Sequence, residues 1–434
     1  MRSDIEILSD SVKLPCGAVL PNRICKAAMT EGLAHPADNR ANERHQELYR
    51  RWGESGAGLH VTGNVLVDRW HLERGGNIAI DGPQGNEALA GLANMASAAK
   101  AKGAHIWMQI NHPGRQTQKM INKRPSAPSD VGLKMGNGRF GKPIPMTEDE
   151  IENTIVAHVN AAKVAEQTGF DGVQFHAAHG YLVSQFLSPL SNIRTDKWGG
   201  DLEGRALFLM EIVRRTREVV KPGFAVTVKL NSSDFQKGGF SDDDSVIVAD
   251  WLQDAGVDLI ELSGGNYEQP RMIDFDRKDP KADKKKREST RKREAYFLDF
   301  VPKLREHLKI PLMVTGGFRT ASAMGRAVEE DNIDMVGLGR PFCVDTEVAT
   351  RLLSGEITTI NDMSDSTRIG RGLLSPTSPI SFLRDLNAWG ELGWYYEQIY
   401  RLADGKDPDY DLTGFKALMA FDKTEAANAK ALVR

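Results

Sequence analysis

Eight short apolar runs, separated by longer segments of which several have helical period, occur before residue 355. This alternation is what βα units around a parallel sheet require, because strands covered on both faces read as continuous apolar runs. The runs lie at 22–29, 58–65, 105–110, 172–176, 224–230, 259–263, 312–315 and 335–338. Eight of them predict a closed (β/α)8 TIM barrel; an open doubly wound sheet is the alternative. Helices are expected at 86–102, 147–168, 202–220 and 242–255, with Thr147 and Glu150 spaced as a capping box. Alternation around Pro15 and Gly17 over 12–20 predicts an N-terminal hairpin closing the bottom of the barrel.

The 434 residues divide into a barrel over 1–354 and a helical C-terminal extension over 355–434. In the extension Trp389, Trp394, Tyr395, Tyr396 and Tyr400 fall on an amphipathic stretch. Such a helix packs on the barrel or on a partner subunit, so a homodimer is one expectation and a lid over the site is another. A long loop is expected at 270–293, whose basic run 277–293 is either a solvated excursion or a lure for a phosphorylated dinucleotide.

The balance of 56 basic and 59 acidic residues leaves a net charge of −3, which offers no electrostatic case for nucleic acid or an anionic membrane. The expected partner is a small-molecule substrate. Cys16, Cys25 and Cys343 form no CxxC, so a disulfide scaffold, a cysteine-rich zinc site and an iron–sulfur cluster are poorly supported. With no basic-then-apolar leader and no run of roughly 18 apolar residues, a cytoplasmic location is expected.

Active sites of α/β barrels sit at the carboxyl ends of the strands, where this chain carries polar or glycine residues after nearly every run. They are Thr30, Gly63 with Asn64, Gln109 with His112, His176 with His179, Lys229, Ser263 with Gly264 and Gly265, Gly316 with Gly317, and Gly339 with Arg340. Glycines after strands seven and eight, with an arginine to clamp the anion, suit a phosphate. The segment FHAAHGYL brings His176, His179 and Tyr181 within six residues. Two imidazoles there suit a pair of donors to an oxygen gaining negative charge, with the tyrosine as proton source. Structural histidines are the plainer reading, and zinc lacks both an HExxH pattern and a third ligand, so no metal is expected. Lys229, inside the apolar run FAVTVKL, either snorkels, faces a developing anion or forms a Schiff base.

The stretches NRICKAAMT, QINHPGRQ, FDGVQFHAAHGYLVSQFLSPLSNIRTDKWGGDLEGR, VTVKLNSSDFQKGG, IELSGGNYE, VTGGFRT and VGLGRPF resemble the Old Yellow Enzyme family of FMN-dependent ene-reductases and NADH:flavin oxidoreductases. The resemblance runs over about residues 5–350 and is carried most specifically by the HAAHGYL block. It implies noncovalent FMN at the strand ends, reduced by NADPH or NADH and reoxidised, ping-pong through flavin N5, by an α,β-unsaturated carbonyl compound. By motif position Ala28, Met29 and Thr30 would line the flavin, Asn64 would contact the ring edge, Gln109 the pyrimidine side and Lys229 the N1 and C2 carbonyl end. Gly316, Gly317, Gly339 and Arg340 would hold its phosphate. His176 and His179 would bind the substrate oxygen, and Tyr181 would protonate the α-carbon.

The chain departs from better-known members at Ala28, where proline is frequent, and at Thr30, where one subgroup has cysteine. Gly32 stands where that subgroup has an aromatic, which puts substrate analogies in doubt, and Lys229 where many have arginine. A flavin-free lyase using Lys229 as a Schiff base and a non-catalytic flavin-binding protein are the competing readings. The motifs do not separate enone reduction from NAD(P)H oxidation or from quinone and nitro reduction.

Overall fold

The computed structural model describes residues 2–134, 138–265, 295, 297–361 and 363–433; the expected basic loop 277–293 lies outside them. The eight expected runs form eight parallel strands: β1 (Ile24–Lys26), β2 (Leu59–Leu66), β3 (His105–Asn111), β4 (Gly172–Ala177), β5 (Ala225–Asn231), β6 (Leu259–Ser263), β7 (Leu312–Thr315) and β8 (Met335–Leu338). Each pairs with the next, and β8 pairs with β1 through Val336↔Ile24 and Leu338↔Lys26, so the barrel is closed. β1 is shorter than its apolar run. The Asn22 carboxamide oxygen takes the Ile24 and Gly58 N–H groups at its start, and past Ala27 the chain leaves the sheet for the rim.

The helices that follow the strands are α1 (Glu43–Gly53), α2 (Asn86–Ala99), α3 (Glu148–Gln167), α4 (Leu202–Val219), α5 (Asp242–Asp254), α6 (Val301–Arg305), α7 (Ala321–Glu329) and α8 (Val348–Leu353). At the start of α3 Thr147 and Glu150 cap each other: the Thr147 N–H donates to Glu150 Oε2 at 2.7 Å, and the Glu150 N–H to Thr147 Oγ1 at 3.2 Å. That reciprocal pair satisfies two of the donors a helix start leaves open.

Val12–Lys13 pairs antiparallel with Val19–Leu20, and this hairpin plugs the amino-terminal mouth of the barrel. Its Val12, Leu14 and Leu20 pack with inward residues of most strands, including Cys25, Trp107, Met313 and Met335. Each leucine so buried contributes roughly 1.5–3 kcal/mol. The floor is therefore apolar, and the polar inward residues Gln109, Gln174, Lys229 and Glu261 stand above it.

The C-terminal part forms α9 (Ser381–Ala403) and α10 (Gly414–Ala431), packed on each other, with α9 also lying on α1 and on the turn Arg340–Cys343. Their connection is tied by the Trp394 indole N–H to the Leu412 carbonyl at 2.8 Å and by Gln398, bonded both ways to the Asp409 backbone. Among the described residues no helix is long and apolar enough to cross a membrane.

Candidate active site

Because side chains alternate along a strand, Trp107 in the floor fixes Gln109 and Asn111 of β3 as inward-facing too. Above the floor runs a continuous polar chain: Gln109 Nε2 donates to Gln174 Oε1 at 2.7 Å, and Gln174 Nε2 to Glu261 Oε2 at 2.8 Å. Glu261 Oε1 stands 2.9 Å from Lys229 Nζ, its neighbour in register on β5. Lys229 thus neither snorkels nor stands alone. It is paired with a fully buried carboxylate.

At the end of β4 the predicted trio converges. The His176 and His179 rings are 4.9 Å apart and the His176 and Tyr181 rings 4.8 Å, both edge to face. His179 sits at φ +61, a left-handed turn that returns its ring to the barrel axis, and its backbone N–H is held by Asn231 Oδ1. His176 Nδ1 accepts the Ala178 N–H, so its hydrogen belongs on Nε2. His179 Nε2 lies 2.7 Å from Ser263 Oγ, which leaves Nδ1 as its other polar atom. Burial, then the neighbouring His179 and Lys229, pushes His176 well below the usual imidazole range; burial and Lys229 do the same to His179. Both rings are neutral at physiological pH, suited to hydrogen bonding rather than to carrying charge.

Across the rim stands a residue with no place in the sequence reading. Glu73, half-buried on the loop after β2, accepts the Thr30 hydroxyl and the Asn64 amide at Oε2, each at 2.7 Å, and the Tyr181 hydroxyl at Oε1, at 2.8 Å. Gly63 allows this clustering, since a Cβ there would come within 2.5 Å of the Met29 carbonyl oxygen and of Thr30 Cα. The Gly32 position is not open space either: a Cβ would fall 2.9 Å from the Arg74 guanidinium. Arg74 in turn is buried under the C-terminal helices, bonded to Glu425 at 2.6 Å and Tyr400 at 2.7 Å and stacked 3.8 Å over Tyr396.

At the other side of the rim Gly316 and Gly317 have φ of +101 and +87, and a Cβ on Gly316 would meet nothing within 4 Å. Gly339 is beside Met29, whose sulfur would lie 3.6 Å from an added Cβ. Ala28 packs against the floor cluster. Arg340 Nη1 is bonded to Glu391 of α9 at 2.6 Å.

The buried Asn64 Oδ1 and both side-chain polar atoms of Asn111 have no hydrogen-bond partner, an arrangement that costs free energy unless a ligand supplies one. Unpartnered polar atoms of Asn64 and Asn111, a lysine and glutamine row on the wall, and a positive-φ glycine pair, open at Gly316, with an arginine past β8 fit a planar heterocycle bearing a phosphate. Glu73, Glu261 and Asn111 were missed. Glu261 carried a signal, as an acid within the apolar run at 259–263 opposite the lysine at 229; Asn111 shares the period of Gln109; Glu73 carried none.

Asp68, His71 and His112 also converge, with the candidate ligand atoms within 4.8 Å of one another. His71 Nε2 accepts the Ser126 N–H and His112 Nδ1 the Gly114 N–H, so the nitrogens facing Asp68 carry hydrogens. Burial alone would raise the Asp68 carboxyl, but bonds from His112 and His71 outweigh it and hold it well below the usual range. The trio reads as a hydrogen-bonded brace for the loop that presents Glu73, its metal-facing positions taken by protons.

A closed α/β barrel with this rim is an enzyme of the cofactor-binding barrel class. The chain belongs to the NADH:flavin oxidoreductase / NADH oxidase family, which includes the Old Yellow Enzymes; the family model matches residues 16–358. It is 38% identical over 349 residues to the NADH-dependent flavin oxidoreductase nadA of Aspergillus parasiticus, covering 78% of this chain and 76% of that one. Its fold is similar to a 2-naphthoyl-CoA reductase, with a TM-score of 0.74 at 27% identity over 82% of this chain and 54% of that one. The Old Yellow Enzyme homologue of Zymomonas mobilis shares the fold alone, with a TM-score of 0.66 at 22% identity over 82% and 94% of the two chains. The protein is accordingly a flavin oxidoreductase of this family.

Proposed function

We propose that the protein binds FMN noncovalently and uses it to reduce the activated C=C bond of α,β-unsaturated carbonyl compounds. The observation that carries this reading is the convergence of two neutral imidazoles and a tyrosine at the end of β4, facing the residues expected to line a flavin. When bound, the flavin supplies the two-electron chemistry, taking hydride from the nicotinamide and giving it to the β-carbon of the acceptor.

The protein's own part is placement and charge control. Lys229, oriented by Glu261, and Gln109, oriented by Gln174, would hold the pyrimidine edge, and Thr30, Asn64, Ala28 and Met29 would contact the ring. Gly316, Gly317, Gly339 and Arg340 would hold the phosphate. His176 Nε2–H and the His179 ring would bind the carbonyl oxygen, stabilising the negative charge that grows there as hydride adds, a contribution worth about 3 kcal/mol per donor in comparable sites. Tyr181 would deliver a proton to the α-carbon. NADH is favoured as reductant, since relatives such as nadA carry it in their names.

The test is an anaerobic visible spectrum of the FMN-loaded protein before and after NADH, and again after cyclohexenone. The expected result is bleaching by NADH and recovery of the yellow colour with the enone. A protein that takes up no FMN, or whose bleached form ignores the enone, sinks the reading.

A further inference from the structure

We propose that Glu73 is the proton relay that recharges Tyr181, passing protons from solvent across the bond between Glu73 Oε1 and the Tyr181 hydroxyl. The inference rests on the enone-reductase reading above. It starts from an asymmetry in the carboxyl group: Oε2 already accepts two hydrogens, from Thr30 and from Asn64, while Oε1 faces the phenol at 2.8 Å. An oxygen with two donors is poorly placed to carry a hydrogen, so a proton arriving on Glu73 belongs on Oε1, where it reverses the present bond: the carboxyl then donates to the Tyr181 oxygen, and the phenol hydrogen is freed for the α-carbon.

Tyr181 is itself buried, whereas Glu73 is half-buried, so Glu73 is the better exposed residue of the pair. The charge balance also requires a relay. If Tyr181 alone gave up its proton beside an ionised Glu73, two anions would share one hydrogen-bond distance, which is strongly unfavourable in a partly dry site. With Glu73 protonated, the transfers close. The Tyr181 O–H bond breaks as the α-carbon C–H bond forms on the enolate, the phenolate takes the hydrogen of Glu73 Oε1, and Glu73 regains one from solvent.

Among the described residues the groups bonded to the carboxylate are neutral, Thr30 past the end of β1, Asn64 of β2 and Tyr181 with His176 behind it, while Tyr396 of α9 stands near and the Glu31 carboxylate lies against Gly63 between Thr30 and Asn64. The adjacent cation, Arg74, is turned to Glu425 and holds the loop in place. Glu73 is therefore a residue acting through Tyr181, and its loop is fixed from both sides.

The test compares wild type with Glu73→Gln, whose amide keeps an acceptor for Thr30 and Asn64 and a donor towards Tyr181 but cannot relay a proton. In FMN-loaded protein, reduction by NADH is expected at the wild-type rate, while reoxidation by cyclohexenone slows by about 100-fold and loses its dependence on pH, the range of a general acid. Infrared difference spectra on acidification supply a readout independent of turnover: wild type shows a carboxylic-acid C=O band that Glu73→Gln lacks and that Tyr181→Phe shifts. Glu73→Gln reoxidised like wild type, equal loss in both half-reactions, or a band indifferent to Tyr181→Phe overturns the proposal. A wild type that never reduces the enone instead overturns the reading on which it rests.

Discussion

Arg340 Nη1 lies 2.6 Å from Glu391 Oε1, so the arginine two residues past β8 is bound to a carboxylate of α9. The pair is partly solvated, and such pairs contribute about 0–1 kcal/mol to stability, but under the proposed function it would tune the charge that Arg340 offers to the FMN phosphate. Arg340→Ala is expected to weaken FMN binding by about 10- to 100-fold, the worth of one charge-assisted contact. Glu391→Gln removes a competing negative charge and is expected to tighten binding a few-fold, less so at high salt. Flavin fluorescence titrations at two ionic strengths check both. Weaker binding by Glu391→Gln would mean that the carboxylate serves to orient the guanidinium.

Lys229 and Glu261 are both almost fully buried, and breaking such a pair from one side strands a charge. Glu261→Gln is expected to cost about 3–5 kcal/mol in urea unfolding, while Lys229→Met with Glu261→Leu recovers most of that loss. The double variant should still fail to hold flavin. Retention of flavin would remove Lys229 from the cofactor site.

The barrel was legible because each strand is buried on both faces and so appears as an apolar run; 259–263, 312–315 and 335–338 match β6, β7 and β8 to the residue. The carboxyl-end rule singled out Thr30, Asn64 and His176, and the FHAAHGYL segment added Tyr181; the structure brings Thr30, Asn64 and Tyr181 together on Glu73. Glu73 escaped because its partners lie 43, 9 and 108 residues away and a loop residue has no periodicity to betray its direction. Glu391 and Glu425 escaped for a related reason. They lie on helices outside the matched region 16–358, where an acidic residue reads as one more solvated charge.

Arg74 joins the Glu73 loop to α10 through Glu425, at 2.6 Å and with both side chains more than nine-tenths buried. Glu425→Ala is expected to loosen α10 at a cost of about 3–5 kcal/mol, leaving Arg74 with its aromatic contacts and Tyr400. Limited proteolysis reads this directly, as faster cleavage near 405–413 with the barrel intact. Unchanged cleavage would show that Tyr396, Phe421 and Tyr400 hold the arginine without Glu425.

His60 is fully buried beside Lys26, with neither ring nitrogen hydrogen-bonded. Burial first, and then Lys26, pushes it down to about 3. In the unfolded chain it titrates near 6.5, so below that pH the unfolded state binds the extra proton and stability falls as pH falls. Between pH 7 and pH 5 the loss is about 2 kcal/mol, and it continues until the folded-state value is reached. The same sign holds for His45, held near 3, and for His112 and His158, held near 4, so acid sensitivity is shared among several histidines. His60→Leu is expected to match or exceed wild type at pH 7 and to lose about 2 kcal/mol less on going to pH 5, measured by urea unfolding at both values. An unchanged difference between the two pH values would mean that His60 finds a partner for its proton in the folded state.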